Sequence, residues 1–146
     1  MKLVIQRVEK AKVTRVSDGK ITGEIGEGLF ILVGFKKGDT VELVNRLTDK
    51  LVKLRVMGDE REKMNLSVKD INAKILIVSQ FTLYADTSGG NRPSFINAEE
   101  PEKARKLYEL FVEIIRKNGI EVQTGSFGDY MKIETILDGP VTILYE

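Results

Sequence analysis

Ser79, Gln80, Phe81 and Thr82 carry the side chains in this chain best suited to chemistry. They follow Ile75-Leu76-Ile77-Val78, an apolar, mostly β-branched run that reads as a strand buried on both faces. Hydroxyls and an amide at the end of such a strand are poor core material unless hydrogen-bonded. They are well placed to line a pocket on a rigid element. On spacing alone the favoured reading is plainer: Ser79 and Thr82 satisfy neighbouring backbone groups.

The rest of the composition narrows the chemistry. The 146 residues contain no histidine and no cysteine. A Ser–His–Asp triad, a Cys–His pair, and imidazole or thiolate metal sites are therefore excluded. What is left is carboxylates, lysine, hydroxyls, backbone donors, an oxygen-ligated metal, or groups on the substrate itself. Asp59, Glu60 and Glu62 are the acidic cluster available to a metal, and they read more simply as a charged turn. No GxxxxGK[ST] or GxGxxG motif follows a strand and opens a helix, so a glycine-rich phosphate loop is rejected. A hydroxyl nucleophile at Thr82 would need a neighbouring base, and none is evident.

The elements that must position these residues are legible in outline. Residues 2–7 and 11–16 alternate in strand fashion, Ser17-Asp18-Gly19 marks a turn, and Lys20–Ile25 resumes the alternation. Gly26-Glu27-Gly28 turns the chain into Leu29–Phe35, a central strand in which Gly34 signals a bulge or close approach. Asp39 or Thr40 caps a first helix running to about Val56, with Leu43, Leu47, Leu51 and Leu54 on one face. Residues 75–84 form the pivotal strand. Asp86–Phe95, rich in Gly and Ser and holding Arg92, has no periodicity and is a functional or mobile loop.

A second helix opens at Pro101 and ends at Asn118-Gly119. Its apolar stripe runs through Ala104, Leu107, Tyr108, Phe111, Ile114 and Ile115. Lys103, Lys106, Arg116 and Lys117 face outward among glutamates, a modest skirt for a polyanion. Strands at Glu121–Thr124, Met131–Ile136 and Val141–Tyr145 complete the chain. The reading is one α+β domain over residues 1–146, with a mixed, largely antiparallel, curved or barrel-like sheet and two main amphipathic helices. A net charge of +1 argues against coating nucleic acid by charge alone and leaves room for a local basic patch. The first residues, MKLVIQRVEKAKV, have no long apolar stretch, so neither signal peptide nor membrane span is expected and the default address is the cytoplasm.

The ordered motifs resemble one family. SQFTLYAD at 79–86 and DGPVT at 138–142 are similar to D-aminoacyl-tRNA deacylase, formerly D-tyrosyl-tRNA deacylase. VIQRV at 4–8, IGEGLFILVG at 25–34, KMNLSV at 63–68, GNRPSF at 90–95 and TGSFGDYMK at 124–132 match in order. One departure is Leu137, where the family usually has Asn two residues before the Gly-Pro.

The resemblance implies a homodimer that hydrolyses the ester between a D-amino acid, or glycine, and the 3′-terminal adenosine of tRNA. No cofactor or metal is implied. Gly139-Pro140, with Val141 and Thr142, would be a cis element that enters the other subunit's pocket and excludes L side chains. Arg7 would hold that element, and Phe127 and Gly128 would join the substrate site. Backbone N–H groups around Ser79 to Phe81 would stabilise the oxyanion, the adenosine 2′-OH would assist the water, and Phe81 and Phe127 would pack around the adenine. Two other classes fit the residues: a non-catalytic RNA- or ligand-binding dimer, and an esterase for small D-amino acid esters.

Overall fold

The computed structural model describes residues 1–146 and contains eight strands, two helices and one 3₁₀ turn. The largest sheet has the order β2-β1-β3-β6-β7, with β8 also paired to β1. Its strands are β1 (Lys2–Arg15), β2 (Ile21–Ile25), β3 (Gly28–Gly34), β6 (Lys74–Ser79), β7 (Val122–Thr124) and β8 (Met131–Tyr145). β1 runs antiparallel to β2, β3 and β8, whereas β3–β6 and β6–β7 are parallel. The sheet is mixed, as the sequence predicts. It curls until β2 approaches β7: a Cβ on Gly23 would lie 2.7 Å from the Thr124 carbonyl oxygen.

Alternation along the central strands sorts the core onto two faces. Ile75 and Ile77 join Leu29, Ile31 and Val33 in a 23-residue cluster with α1 (Val41–Val52) and α2 (Pro101–Lys117). Leu76 and Val78 face inward with Val8, Val13, Ile25 and Phe30 in a smaller cluster inside the curl. The expectation of a strand buried on both faces is met: Ile75, Leu76, Ile77 and Val78 are all buried. Because successive strand side chains point to opposite faces, a continuous apolar run is needed where both faces are covered.

Several boundaries differ from the sequence reading. The N-terminal strand is one element, Lys2–Arg15, because two different neighbours, β3 and then β2, pair with its two halves. Gly28 begins β3 rather than ending a turn, and β7 starts at Val122. Helix α1 is capped by the Thr40 hydroxyl, which accepts from the Leu43 N–H, and stops at Val52 instead of near Val56. Val56 and Met57 are buried, and Met57 starts the β4–β5 hairpin (Met57–Gly58 with Met64–Leu66), so the chain must turn back toward the sheet. Asp39, the other cap candidate, is 2 % exposed and instead pairs with the Met1 ammonium at 2.5 Å. Helix α2 starts with Pro101 and ends at Asn118, as its stripe predicts.

The tail is also one strand. Met131 to Tyr145 pairs with β1 throughout, across the Asp-Gly-Pro turn signal. Leu137 pairs with Val8 and Thr142 with Gln6, so Asp138, Gly139, Pro140 and Val141 together face the single residue Arg7. This is a large bulge, followed directly by a second register shift at Glu9, where Val8 pairs Leu137 and Lys10 pairs Ile136; bulges re-aim the backbone without ending the pairing. β8 pairs only with β1 and is an outer edge strand of the sheet; Ile133, Ile136, Leu137 and Leu144 on it are exposed, and Ile133 lines a cleft beside residues 79–81.

Candidate active site

β6 ends at Ser79, whereas the sequence predicts a strand running on to Tyr84. Phe81–Tyr84 is instead a 3₁₀ turn. Leu83 N–H donates to the Gln80 carbonyl at 3.3 Å, and Ala85 N–H to the Thr82 carbonyl at 3.0 Å. The alternating apolar residues 81, 83 and 84 mimicked a strand, but β3, the neighbour that would pair with them, has already ended at Gly34. Gly34 is what lets the turn pack there. Gln80 N–H donates to Val33 at 2.8 Å, and a Cβ on Gly34 would stand 2.8 Å from the Gln80 carbonyl oxygen. The close approach expected at Gly34 is thus made by the start of the SQFT segment.

The turn opens with free donors. Of the donors expected around Ser79 to Phe81, the Gln80 N–H is taken by the Val33 carbonyl; the N–H groups of Phe81 and Thr82 precede the turn's first internal bond, and so have no partner within it. Gln80 Nε2 donates to the Thr82 hydroxyl, which fixes the amide against the turn. No titratable base touches Thr82; its side-chain partner is this amide. Beside the turn lies a cleft of about 680 Å³, lined by Ser79, Gln80 and Phe81 on one side and by Phe127, Gly128 and Tyr130 on the other.

The cleft's aromatic walls are braced. Phe81 meets Phe95 edge-on with centroids 5.0 Å apart, so the 86–95 loop reaches back to the site. That loop is closed at its base by two bonds between Asp86 and Ser94, each 2.8 Å. Phe127 packs on Tyr108 at 5.6 Å, and the Tyr108 hydroxyl donates to the Ile77 carbonyl at 3.0 Å. Burial pushes the Tyr108 hydroxyl's pKa up, so it stays a neutral donor.

Electrostatically the cleft is acidic. Glu99, Glu100 and Asp129 line it and no lysine or arginine does. The Lys103 ammonium, 2.7 Å from Glu99, lowers the pKa of that carboxyl group and keeps it ionised. Asp129 accepts from the Ser126 hydroxyl and lies 3.7 Å from Arg15.

The sequence-predicted residues fall into two groups. Ser79, Gln80, Phe81, Phe127 and Gly128 line the cleft, and Thr82 follows in the same turn. Arg7, Gly139, Pro140, Val141 and Thr142 lie elsewhere, in the β1–β8 bulge, and none of them lines the cleft of its own chain. The Gly139–Pro140 peptide is cis, the form the resemblance implies. Arg7 is fixed beside it: Nη1 donates to the Val56 carbonyl at 2.8 Å, and Nε lies 2.7 Å from the Asp138 carboxylate. The Nε contact is off the N–H axis, an ion pair rather than a hydrogen bond. A Cβ on Gly139 would lie 3.3 Å from Arg7 Nη2.

Sequence reasoning missed Tyr130 and Asp129 at the cleft mouth, although both stand in the TGSFGDYMK stretch that signalled the family. Asp59, considered for a metal, accepts from the N–H groups of Arg61 and Lys63 at 2.8 and 3.0 Å, and from the Asn65 amide at 2.7 Å. It is the organiser of the charged turn.

This curled sheet with two helices on one face is an architecture shared with tRNA deacylases. A solved structure described as a probable eukaryotic D-amino acid tRNA deacylase superposes with a TM-score of 0.84 at 16% identity, over 99% of this chain and 97% of that one. The c-Myc DNA Unwinding Element Binding Protein superposes with a TM-score of 0.91 at 39% identity, covering 100% and 98%. The D-Tyr-tRNA(Tyr) deacylase family model matches residues 4–146, and the chain belongs to that family. The D-aminoacyl-tRNA deacylases of Thermotoga petrophila and Limosilactobacillus reuteri are 50% and 51% identical over 146 residues, covering all of this chain and 97% and 99% of the relatives. As a member of the family the chain is a hydrolase.

Proposed function

We propose that this protein hydrolyses D-aminoacyl-tRNA, and glycyl-tRNA with it, as a chiral proofreader of translation in the cytoplasm. The observation that carries the reading is the pair of free N–H donors, Phe81 and Thr82, opening a rigid turn beside the cleft. An ester carbonyl held there gains donors as its oxygen becomes an oxyanion. Water adds to the carbonyl carbon, the bond from that carbon to the ribose 3′-oxygen breaks, and the 3′-oxygen takes the proton. The products are the free amino acid and the tRNA 3′-hydroxyl. With no histidine or cysteine in the chain, the vicinal 2′-OH is the group best placed to orient the water. The acidic cleft suits the substrate's α-ammonium, which every aminoacyl ester carries.

Selectivity is assigned to Gly139-Pro140 acting across a homodimer. The bulge does not line its own cleft, although Met131 and Ile133 of the same strand do, and it sits on the outer edge strand with exposed apolar side chains, Leu144 being 65 % and Ile136 44 % exposed. An exposed apolar edge strand is a pairing surface. A second copy seated on it would bring each bulge toward the partner's cleft. The backbone wall so formed would meet an L side chain and leave a D side chain free. Glycine, lacking a side chain, would pass the same filter.

Thr82→Ala tests the chemistry. A substrate-assisted reaction keeps single-turnover hydrolysis of D-aminoacyl-tRNA within about tenfold of wild type, the scale of one lost positioning contact. Loss to the uncatalysed rate would make the Thr82 hydroxyl the nucleophile and overturn the substrate-assisted mechanism.

A further inference from the structure

A second groove, about 410 Å³, adjoins the cleft on the far side of Phe127. Its walls are a flank of α2 at the margin of the core, from Arg105 through Tyr108 and Val112 to Arg116, and the segment Thr124–Phe127. Phe127 lines both cavities, so the two are neighbours across a single ring. The Arg105 guanidinium stacks over that ring at 4.5 Å from its centroid. Arg116 sits about three turns further along the helix, with Nη2 donating to the Val122 carbonyl at 3.0 Å and its other donors available.

The charge of the two cavities differs. The cleft is lined by three carboxylates and no cation; the cations that pair with them, Lys103 on Glu99 at 2.7 Å, Lys37 on Glu100 at 3.9 Å and Arg15 on Asp129 at 3.7 Å, stand outside the lining. The groove holds two guanidiniums, and neither belongs to any of the chain's ion pairs. Of its two carboxylates, Glu113 is already engaged by Lys117 at 2.6 Å, which leaves Glu109 alone opposite the pair. An aminoacylated RNA end has the same asymmetry: an ammonium at its tip and phosphates behind it.

Resting on the deacylase reading above, we propose that this groove receives the single-stranded RNA just behind the terminal adenosine, with Arg105 and Arg116 contacting its phosphates. Arginine suits this role because its planar fork pairs bidentately with phosphate while its face stacks on an aromatic ring. Arg105 would meet the phosphate nearest the adenosine and Arg116, about 16 Å along the helix axis, a phosphate further back. The ester-bearing tip would then enter the acidic cleft, and a phosphate placed there instead would face Glu99, Glu100 and Asp129. Both arginines are thus positioning residues that act on the substrate's polyanionic end. They fix the direction in which it threads.

The test compares three esters of one D-amino acid: on full tRNA, on the trinucleotide CCA, and on adenosine alone. Arg105→Ala, and its double variant with Arg116→Ala, are expected to lower kcat/KM for tRNA and CCA, relative to the adenosine ester, by about tenfold or more. The salt dependence of KM for tRNA should become shallower, since each lost phosphate contact removes about 0.7 from the log–log slope for a single strand. Arg105→Lys should restore part of both. The Arg105 side chain makes no hydrogen bond and only stacks on Phe127, so the single variant stays informative even if Arg116→Ala unfolds. Equal loss on all three esters, or an unchanged salt slope, would overturn the proposal. A wild-type protein that cleaves none of the three would overturn the deacylase reading, and the proposal with it.

Discussion

Gly139→Ala is expected to lower the ratio of D- to L-aminoacyl-tRNA hydrolysis by about a hundredfold, the cost of misplacing a positioning element by about an ångström. Gly139 has φ +121°, a region that side-chain-bearing residues rarely adopt. A Cβ there would also stand 2.9 Å from both the Val141 nitrogen and its Cγ2. Neither clash can be relieved toward Arg7, whose Nη2 is already 3.3 Å from the same point and whose Nη1 and Nε are held by Val56 and Asp138. The bulge must therefore shift, and it is the bulge that is proposed to exclude the L side chain. The ladder on either side, from Gln6–Thr142 inward and from Val8–Leu137 outward, pairs independently of it. Thermal stability should accordingly change little while selectivity falls. The ratio of kcat/KM values for matched D and L esters is the readout, and an unchanged ratio would remove Gly139-Pro140 from the chiral filter.

Gly28→Ala is expected to act on the fold instead, destabilising it by about 4 kcal/mol, at the severe end for a single substitution. A Cβ on Gly28 would fall 1.9 Å from the Lys74 carbonyl oxygen and about as close as 3.0 Å to its carbon. Those atoms are backbone, so no rotamer change relieves the contact. Gly28 and Lys74 are the first pair of the parallel β3–β6 ladder, and the last, Val33 and Ser79, stands at the active site. Prising the strands apart at one end loosens the element that holds Gln80 at the other. Urea denaturation should show the loss directly. A variant within about 1 kcal/mol of wild type would mean that the ladder can slide, contrary to its packing.

The contrast between these two glycines shows how far the sequence could be read. The β6 run announced itself because burial on both faces demands uninterrupted apolar residues, and α2 because its stripe, N1 proline and terminal Asn-Gly agree. The end of β6 did not, since Phe81, Leu83 and Tyr84 continue a strand-like pattern into a segment whose pairing partner has stopped. Likewise Asp-Gly-Pro signals a turn in any local reading, yet β1 continues past it and draws both flanks into one strand. Helix α1 ran on in the sequence reading because nothing local marks its end, which is set by where Val56 and Met57 must be buried. The cleft residues 79–81 were legible from their chemistry at a strand end. Tyr130 and Asp129 were not, because only the tertiary fold sets them opposite Ser79. Of the second groove's two arginines, Arg116 reads in sequence as ordinary outward helix charge and Arg105 carries no signal at all; only the fold sets both in the groove that Phe127 divides from the cleft.

The most direct measurement is deacylation of matched D-, L- and glycyl-tRNA at low enzyme concentration with a metal chelator present. The account predicts rapid loss of the D and glycyl esters, with the L ester surviving at its spontaneous rate. Equal, uncatalysed decay of all three would contradict it, and so would cleavage of the L ester as fast as the D.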